Sequence, residues 1–198
     1  GYYAVDLRTG EEIYFNDQTS ITIGQLYDYN SMNQHGTFAY LWNIAGTGFF
    51  GGGTATWTCY DAFSGDYWYT ITDAPSAPFA FTSTPQMSYG EDGSILIQSI
   101  DTINHRLLVW NSSEIVDLYG GTTGSNYWQW RPYGKTVSGA SAYSVNASIP
   151  ANVNGSVSFI FDDMLIVSSG LGMGGGGFTF IETSSFTVWA LSLKSGEE

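Results

Sequence analysis

Side chains that could carry out chemistry are few in this sequence and lie far apart. The histidines are His35 and His105, and a metal site would need further ligands at suitable spacing. Cys59 is the single cysteine, so an internal disulfide is impossible, and a free cysteine usually packs as a small hydrophobe. Paired carboxylates such as Asp162-Asp163 could cleave glycosides or bind Ca²⁺, but turn chemistry explains them as well. We predict no catalytic residue and no metal site, and enzymatic activity remains the less favoured alternative.

An aromatic cluster near residue 130 is the main candidate for ligand binding. It consists of Trp128, Trp130, Arg131 and Tyr133, in a segment outside the repeated pattern of the chain. Flat aromatic faces bind sugar rings or partner side chains, and arginine can stack on them. The segment could therefore be a recognition loop, as in a carbohydrate-binding module. The alternative is a loop that folds onto its own sheet and buries both tryptophans.

Three Asn-x-Ser triplets are candidate glycosylation sites. They begin at Asn111, Asn146 and Asn154, and each falls at a predicted turn or loop, where a glycan can be attached. Lys and Arg are scarce in the chain, whereas Ser and Thr are plentiful. Together these features favour a glycosylated protein located outside the cell or at its surface.

The charge balance narrows the range of partners. The formal net charge is −13, and the chain has only five Lys and Arg residues. Binding to nucleic acid requires lysine and arginine against the phosphates, so nucleic acid is a poor partner. Anionic membranes are disfavoured for the same reason, and no apolar run predicts insertion into a membrane. We therefore expect a protein or a glycan as the partner.

A repeated turn motif indicates how these residues are positioned. Residues 4–11, 59–66 and 190–197 share a small residue, an apolar residue, Asp or Ser, a short spacer and then Ser/Thr-Gly-acid. The Asp can accept hydrogen bonds from the turn, and the glycine supplies a positive φ. Each copy therefore predicts a β-hairpin. A weaker copy over 107–116 has Asn111 in place of the Asp and lacks the glycine.

The Ala-x-Asp-x-x-Thr-Gly-Glu pattern of residues 4–11 resembles the PQQ-like, quinoprotein-type β-propeller repeat. The likeness is strongest over 3–14 and 58–69. In that family a tryptophan four residues after the glycine docks between blades, and here Tyr14 and Tyr69 occupy that place. The resemblance also implies a possible quinone cofactor with Ca²⁺. Members with that activity usually have two adjacent cysteines, whereas this chain has one cysteine.

We therefore predict an all-β fold: a β-propeller segment of about three to four four-stranded antiparallel blades, part of a larger propeller. The predicted organisation is a partial blade over 1–16, blades over 20–73 and 79–119, an insertion loop over 120–144, and a blade over 145–198. Within the third blade, 114–119 is predicted as a strand. Because the chain begins inside one blade and ends inside another, we expect the remaining blades to come from a longer parent chain or from an oligomeric assembly.

These observations lead to one functional expectation and two alternatives. The expectation is a non-enzymatic, extracellular or cell-surface β-propeller protein that contacts proteins or glycans, for example in a surface layer, a filament or an envelope assembly. The first alternative, implied by the resemblance, is a fragment of a PQQ-dependent dehydrogenase. The second is a carbohydrate-binding module that acts through the aromatic cluster near residue 130.

Overall fold

The computed structural model of the chain describes residues 1–30, 35–46, 53–76, 86–119, 133–161, 163–169 and 187–198. Nearly all of the regular structure in these residues is β-strand, arranged in four mainly antiparallel sheets. This confirms the predicted all-β class and the antiparallel pairing. We call the sheets A to D in the order in which the chain forms them.

Sheets A and B come from the first part of the chain. Sheet A is a hairpin of β1 (Tyr2–Val5) and β2 (Glu12–Asn16). Sheet B is an antiparallel meander of four strands in chain order. These strands are β3 (Ile23–Asn30), β4 (His35–Gly46), β5 (Thr54–Asp61) and β6 (Tyr67–Pro75). These four strands span residues 23–75, close to the range 20–73 predicted for one blade.

Sheets C and D repeat the meander. Sheet C has the order β7–β8–β9–β11, and sheet D has the order β12–β13–β14. The strands of sheet C are β7 (Gln86–Tyr89), β8 (Ile95–Asp101), β9 (Arg106–Asn111) and β11 (Tyr143–Ser148). Those of sheet D are β12 (Ser156–Phe161), β13 (Met164–Ser169) and β14 (Thr187–Ser192). The fourth strand of sheet C therefore comes from a segment that the sequence divided between the insertion and the last blade.

The described residues include one α-helix, α1 (Ser112–Tyr119), where the sequence predicted a strand over 114–119. That prediction is wrong, and the cause lies at the start of the helix. The Asn111 Oδ1 atom accepts hydrogen bonds from the Ser113 backbone N–H and hydroxyl, both at 2.9 Å. Asparagine is a preferred N-cap residue, and Glu114 in the first turn suits the positive end of the helix dipole. These local signals direct the segment into a helix.

The turn motif has the predicted geometry at each of its three strong copies. The side-chain oxygens of Asp6, Asp61 and Ser192 each accept hydrogen bonds from the backbone N–H groups two and three residues later. The distances are 2.8–2.9 Å for Asp6 and Asp61 and 3.2–3.3 Å for Ser192. The glycine that follows lies at φ 73°, 75° and 72° in the three turns. Each turn is therefore closed by its own side chain.

A further copy of this turn, which sequence analysis missed, joins β8 to β9. The Asp101 Oδ1 atom accepts from the N–H groups of Ile103 and Asn104 at 3.0 and 2.9 Å. His105 stands in the glycine position with φ 52°. A non-glycine residue there carries a conformational cost, so the glycine signal that marks the other turns is absent. The Asp-x-x-Asn spacing was the remaining signal in the sequence.

The sheets stack face to face in chain order. Trp57 of sheet B and Trp110 of sheet C lie at the centre of one core, with their ring centroids 5.3 Å apart. A second core lies between sheets C and D and is formed by Leu107, Val109, Val157, Leu165, Val167 and Leu191. Sheet C thus packs against a neighbour on both faces, because successive residues of a strand point to opposite sides.

Tyr14 joins sheet A to sheet B. Its hydroxyl donates to the carbonyl of Ala62 at 2.8 Å, and its ring lies over Gly65 of the Asp61 turn. A Cβ atom on Gly65 would lie 2.7 Å from the Tyr14 ring. The aromatic residue that the sequence placed between two blades therefore makes a contact between successive sheets.

The two ends of the stack carry apolar surfaces. The outer face of sheet A exposes Tyr3, Val5, Ile13 and Phe15, and the rings of Tyr3 and Phe15 stack at 4.2 Å. The outer face of sheet D exposes Phe159, Phe161, Met164 and Val188. We call these the first and last outer faces. Each lies on the side of its sheet that faces away from the neighbouring sheet of the stack.

Candidate functional site

The predicted aromatic cluster can be placed only at its last residue. Trp128, Trp130 and Arg131 lie outside the described residues. Tyr133 is 63% exposed, and its ring makes an edge contact with Trp68 of β6 at a centroid distance of 5.0 Å. Beside it, the Gly134 N–H donates to the carbonyl of Trp68 at 2.6 Å. The final part of the predicted insertion is therefore docked on sheet B.

The chain then continues as a short strand, β10 (Thr136–Ser138), which pairs in parallel with β6 and adds a fifth strand to sheet B. The pairing is extended at both ends, where the Thr70 N–H donates to Lys135 and the Gly139 N–H donates to Thr72. The Gly139 carbonyl also accepts from the Trp110 indole N–H at 2.9 Å. The described part of the predicted insertion, residues 133–144, thus contacts both sheet B and sheet C.

The candidate glycosylation sites differ in accessibility. Asn154 is exposed in the loop before β12. Asn146 is also exposed, and its side-chain oxygen accepts from the Arg106 Nε at 2.7 Å. Asn111 is half-buried and caps α1, and the next residue, Ser112, is 5% exposed. Among the three, Asn154 therefore presents its side chain most freely, whereas modification of Asn111 would require the first turn of α1 to open.

A groove between sheets C and D is a candidate site that sequence analysis did not identify. Its volume is about 980 Å³, and it lies between the edge strands β7 and β12. Its lining includes Ser88, Leu96, Gln98, Ser158 and Ile160. The groove is thus bounded by hydroxyl and amide groups as well as by aliphatic side chains. Its volume is within the range of small-molecule binding sites.

Gln98 is the unusual residue of this groove. It is 1% exposed, and its Nε2 donates to the Ser88 hydroxyl at 2.7 Å. Its Oε1 atom is buried and has no hydrogen-bond partner. Buried polar atoms are nearly always paired, so this oxygen requires an explanation. The signal in the sequence was a glutamine within the otherwise largely apolar strand Ile95–Asp101.

The mouth of the groove carries charges of both signs. Lys194 and Asp163 form an ion pair at 3.8 Å, and both side chains are well exposed. Glu91, in the turn between β7 and β8, is also exposed. Because exposed ion pairs are screened by water, this pair contributes little to stability, but it balances the local charge.

The cysteine and the two histidines lie in a sheet core, at the start of a strand and in a turn. Cys59 is completely buried, and burial raises the pKa of its thiol well above the usual value, with a further contribution from the nearby Asp61 carboxylate. The thiol is therefore protonated at neutral pH, whereas a nucleophile requires the thiolate. His35 begins β4, and His105 occupies the tip of the Asp101 turn.

Among the described residues, no group of three or more His, Cys, Asp or Glu side chains is positioned to hold a metal ion. Within the same residues, no helix has both the length and the apolar character needed to cross a membrane. Comparison of the chain with protein-family models, curated proteins and solved structures found no match.

Proposed function

We propose that this chain is a β-propeller segment that acts at the cell surface or outside the cell by contacting proteins or glycans, without catalysis. The observation that carries the proposal is the stacking of small antiparallel meanders, face to face, in the order of the chain. Blades of a propeller are sheets of this kind, arranged around an axis.

The end surfaces support a stack that continues beyond these four sheets. Gly65 and Gly10 occupy equivalent places in two copies of the same turn, at φ 75° and 73°. Gly65 lies under the ring of Tyr14 from the preceding sheet, whereas a Cβ atom on Gly10 would meet nothing within 4 Å. The first outer face next to Gly10 is apolar, like the faces that are buried inside the stack. A further blade would cover both the turn and that face.

The chemical roles of the reactive residues support binding over catalysis. Asp6, Asp61 and Asp101 each accept two backbone hydrogen bonds that close a turn. Cys59 is used in core packing. These three carboxylates and this thiol are therefore used in turn closure and core packing.

The extracellular part of the proposal rests on the candidate glycosylation sites, of which Asn154 is the most accessible. Intact-mass measurement of the protein purified from its own source should show added hexose mass that is lost on Asn154→Gln substitution. A native mass equal to that of the bare polypeptide would remove this part of the proposal.

Hydroxyl-radical footprinting tests the propeller itself. The native protein from its source and the isolated 1–198 chain should be oxidised in parallel, and the labelling of Phe15 and Phe161 compared. These residues belong to the two outer faces and should be protected only in the native protein. Phe63 and Ile103 are matched controls, because they are highly exposed but lie in the Asp61 and Asp101 turns. Equal labelling of the outer faces in both samples would overturn the proposal.

A further inference from the structure

The unpaired oxygen of Gln98 points to a ligand in the groove between sheets C and D. Gln98 faces sheet D from β8, where its neighbours along the strand are apolar. Its amide nitrogen is held by Ser88, so one end of the amide is fixed and the other has no partner. Exchanging the oxygen and nitrogen would not remove the problem. Only one of the two amide atoms can bond to the Ser88 hydroxyl, so the other has no partner in either arrangement.

The groove offers this oxygen access to a ligand. The last torsion of a glutamine side chain is broad, so a small rotation can turn Oε1 towards the open volume. The wall beside it includes Leu96 of β8 and Ile160 of β12, whose side chains pack against the core between sheets C and D. These packed aliphatic groups provide a fixed apolar surface beside the groove.

The groups around the groove indicate the chemistry of the ligand. An unpaired acceptor requires a donor. The Ser88 hydroxyl already accepts from Gln98 and can still donate, whereas the Ser158 hydroxyl is paired with that of Ser168. The ion pair of Lys194 with Asp163 leaves the Glu91 carboxylate as the excess charge at the mouth, which disfavours an anion. A neutral molecule with several hydroxyls and an apolar face satisfies all of these groups.

We propose that the groove between sheets C and D binds a neutral saccharide, one hydroxyl of which donates to the Gln98 Oε1 atom. The inference rests on the proposed binding function and specifies its glycan ligand, but it does not depend on further blades covering the outer faces. Saccharides meet protein sites through hydroxyl–amide hydrogen bonds and through their apolar ring faces, and both partners are present here.

The test uses cellohexaose, xylohexaose, mannohexaose and maltohexaose as probes, titrated calorimetrically into the 1–198 chain. At least one should bind, and Gln98→Met should weaken that binding about tenfold or more, because a buried hydrogen bond to the sugar is lost. The melting temperature of Gln98→Met should not fall, since the variant removes an unpaired buried oxygen. Tyr67→Ala is the matched control, because Tyr67 is an exposed aromatic residue of sheet B.

A purely structural role for Gln98 gives a different result: the variant would change stability and leave sugar binding unaltered. That result, or the failure of all four sugars to bind to the unmodified chain, would overturn the inference. If Gln98→Met does not fold, the side-chain amide signals of Gln98 in the unmodified protein should shift on addition of the sugar, and unchanged signals would overturn it. A sulfated form of the hexaose that binds should bind at least tenfold more weakly than its neutral form, and equal binding would refute the neutral class. Footprinting compares Phe15 and Phe161, neither of which lines this groove, so each proposal can fail separately.

Discussion

Replacement of Gly65 by alanine tests the contact that joins sheets A and B. Gly65 has φ 75°, a conformation that costs an alanine about 1–2 kcal/mol. The new Cβ atom would also lie 2.7 and 2.8 Å from two ring carbons of Tyr14. Ordinary carbon–carbon contacts are about 3.5–4.0 Å, so the ring would have to retreat by roughly 1 Å. The Tyr14 hydroxyl would then lose its hydrogen bond to Ala62.

Gly10 provides the matched control, because it has φ 73° in the same turn motif and open space around its Cα. Gly10→Ala should therefore cost only the backbone part, about 1–2 kcal/mol at most. The lost hydrogen bond adds about 0.5–1.5 kcal/mol for Gly65→Ala, and displacement of the ring adds a similar amount. We expect Gly65→Ala to destabilise the protein by about 2–5 kcal/mol, which exceeds the Gly10→Ala effect by at least about 1 kcal/mol.

Urea unfolding followed by tryptophan fluorescence gives both free energies of unfolding. In a Tyr14→Ala background, Gly65→Ala should lose the part of its effect that comes from the ring, which corresponds to a coupling energy of about 1–3 kcal/mol. Equal losses for the two glycines, or a Gly65→Ala effect that is unchanged when Tyr14 is absent, would refute the proposed docking of sheet A on sheet B.

Three further predictions follow from buried or capping groups. The Cys59 thiol is buried and its pKa is raised. In the native protein it should therefore react with a disulfide reagent at mild alkaline pH only as fast as the protein unfolds. Rapid labelling before unfolding would contradict this. The pKa of the Asp101 carboxyl is lowered in the folded protein, chiefly by a hydrogen bond from the Asn104 side chain. The stability that the carboxylate provides is therefore fully present above its unfolded pKa of about 3.9, and it is lost as the pH falls through the lower folded value. Asp101→Asn should therefore flatten the acid limb of a plot of melting temperature against pH, and an unchanged limb would refute this role. Asn111→Ala should cost about 1 kcal/mol in urea unfolding through loss of the α1 cap, whereas Asn111→Asp should retain most of the stability.

Local hydrogen-bonding signals in the sequence predicted the sheets well. The turn motif with Asp61 and Gly65 predicts a hairpin, and the antiparallel pairing of β5 with β6 follows directly from it. Tyr14 was placed between two blades on the basis of its position after Gly10, and the structure brings it into contact with sheet B. These features are local, so a single sequence contains them.

The remaining features depend on contacts between residues that are distant in the chain. Nothing in the sequence of β10 indicates that it pairs in parallel with β6, because its partner precedes it by more than 60 residues. The groove depends on how sheets C and D meet, and the only local trace of it is Gln98. The helix at Ser112–Tyr119 was missed for a different reason: its cap was present in the sequence, but Asn111 was interpreted as a turn residue.

The path of the chain around β10 has a consequence for how the protein could be divided. The polypeptide leaves sheet C at Asn111, adds β10 to sheet B, and returns to sheet C as β11. Without residues 133–198, residues 1–119 would leave sheets B and C each lacking one strand. Residues 133–198 contain both of these strands, β10 for sheet B and β11 for sheet C. Two fragments, made separately on either side of this point, should bind each other because their association adds both missing strands at once. The pair would form a split protein whose reassembly can be detected.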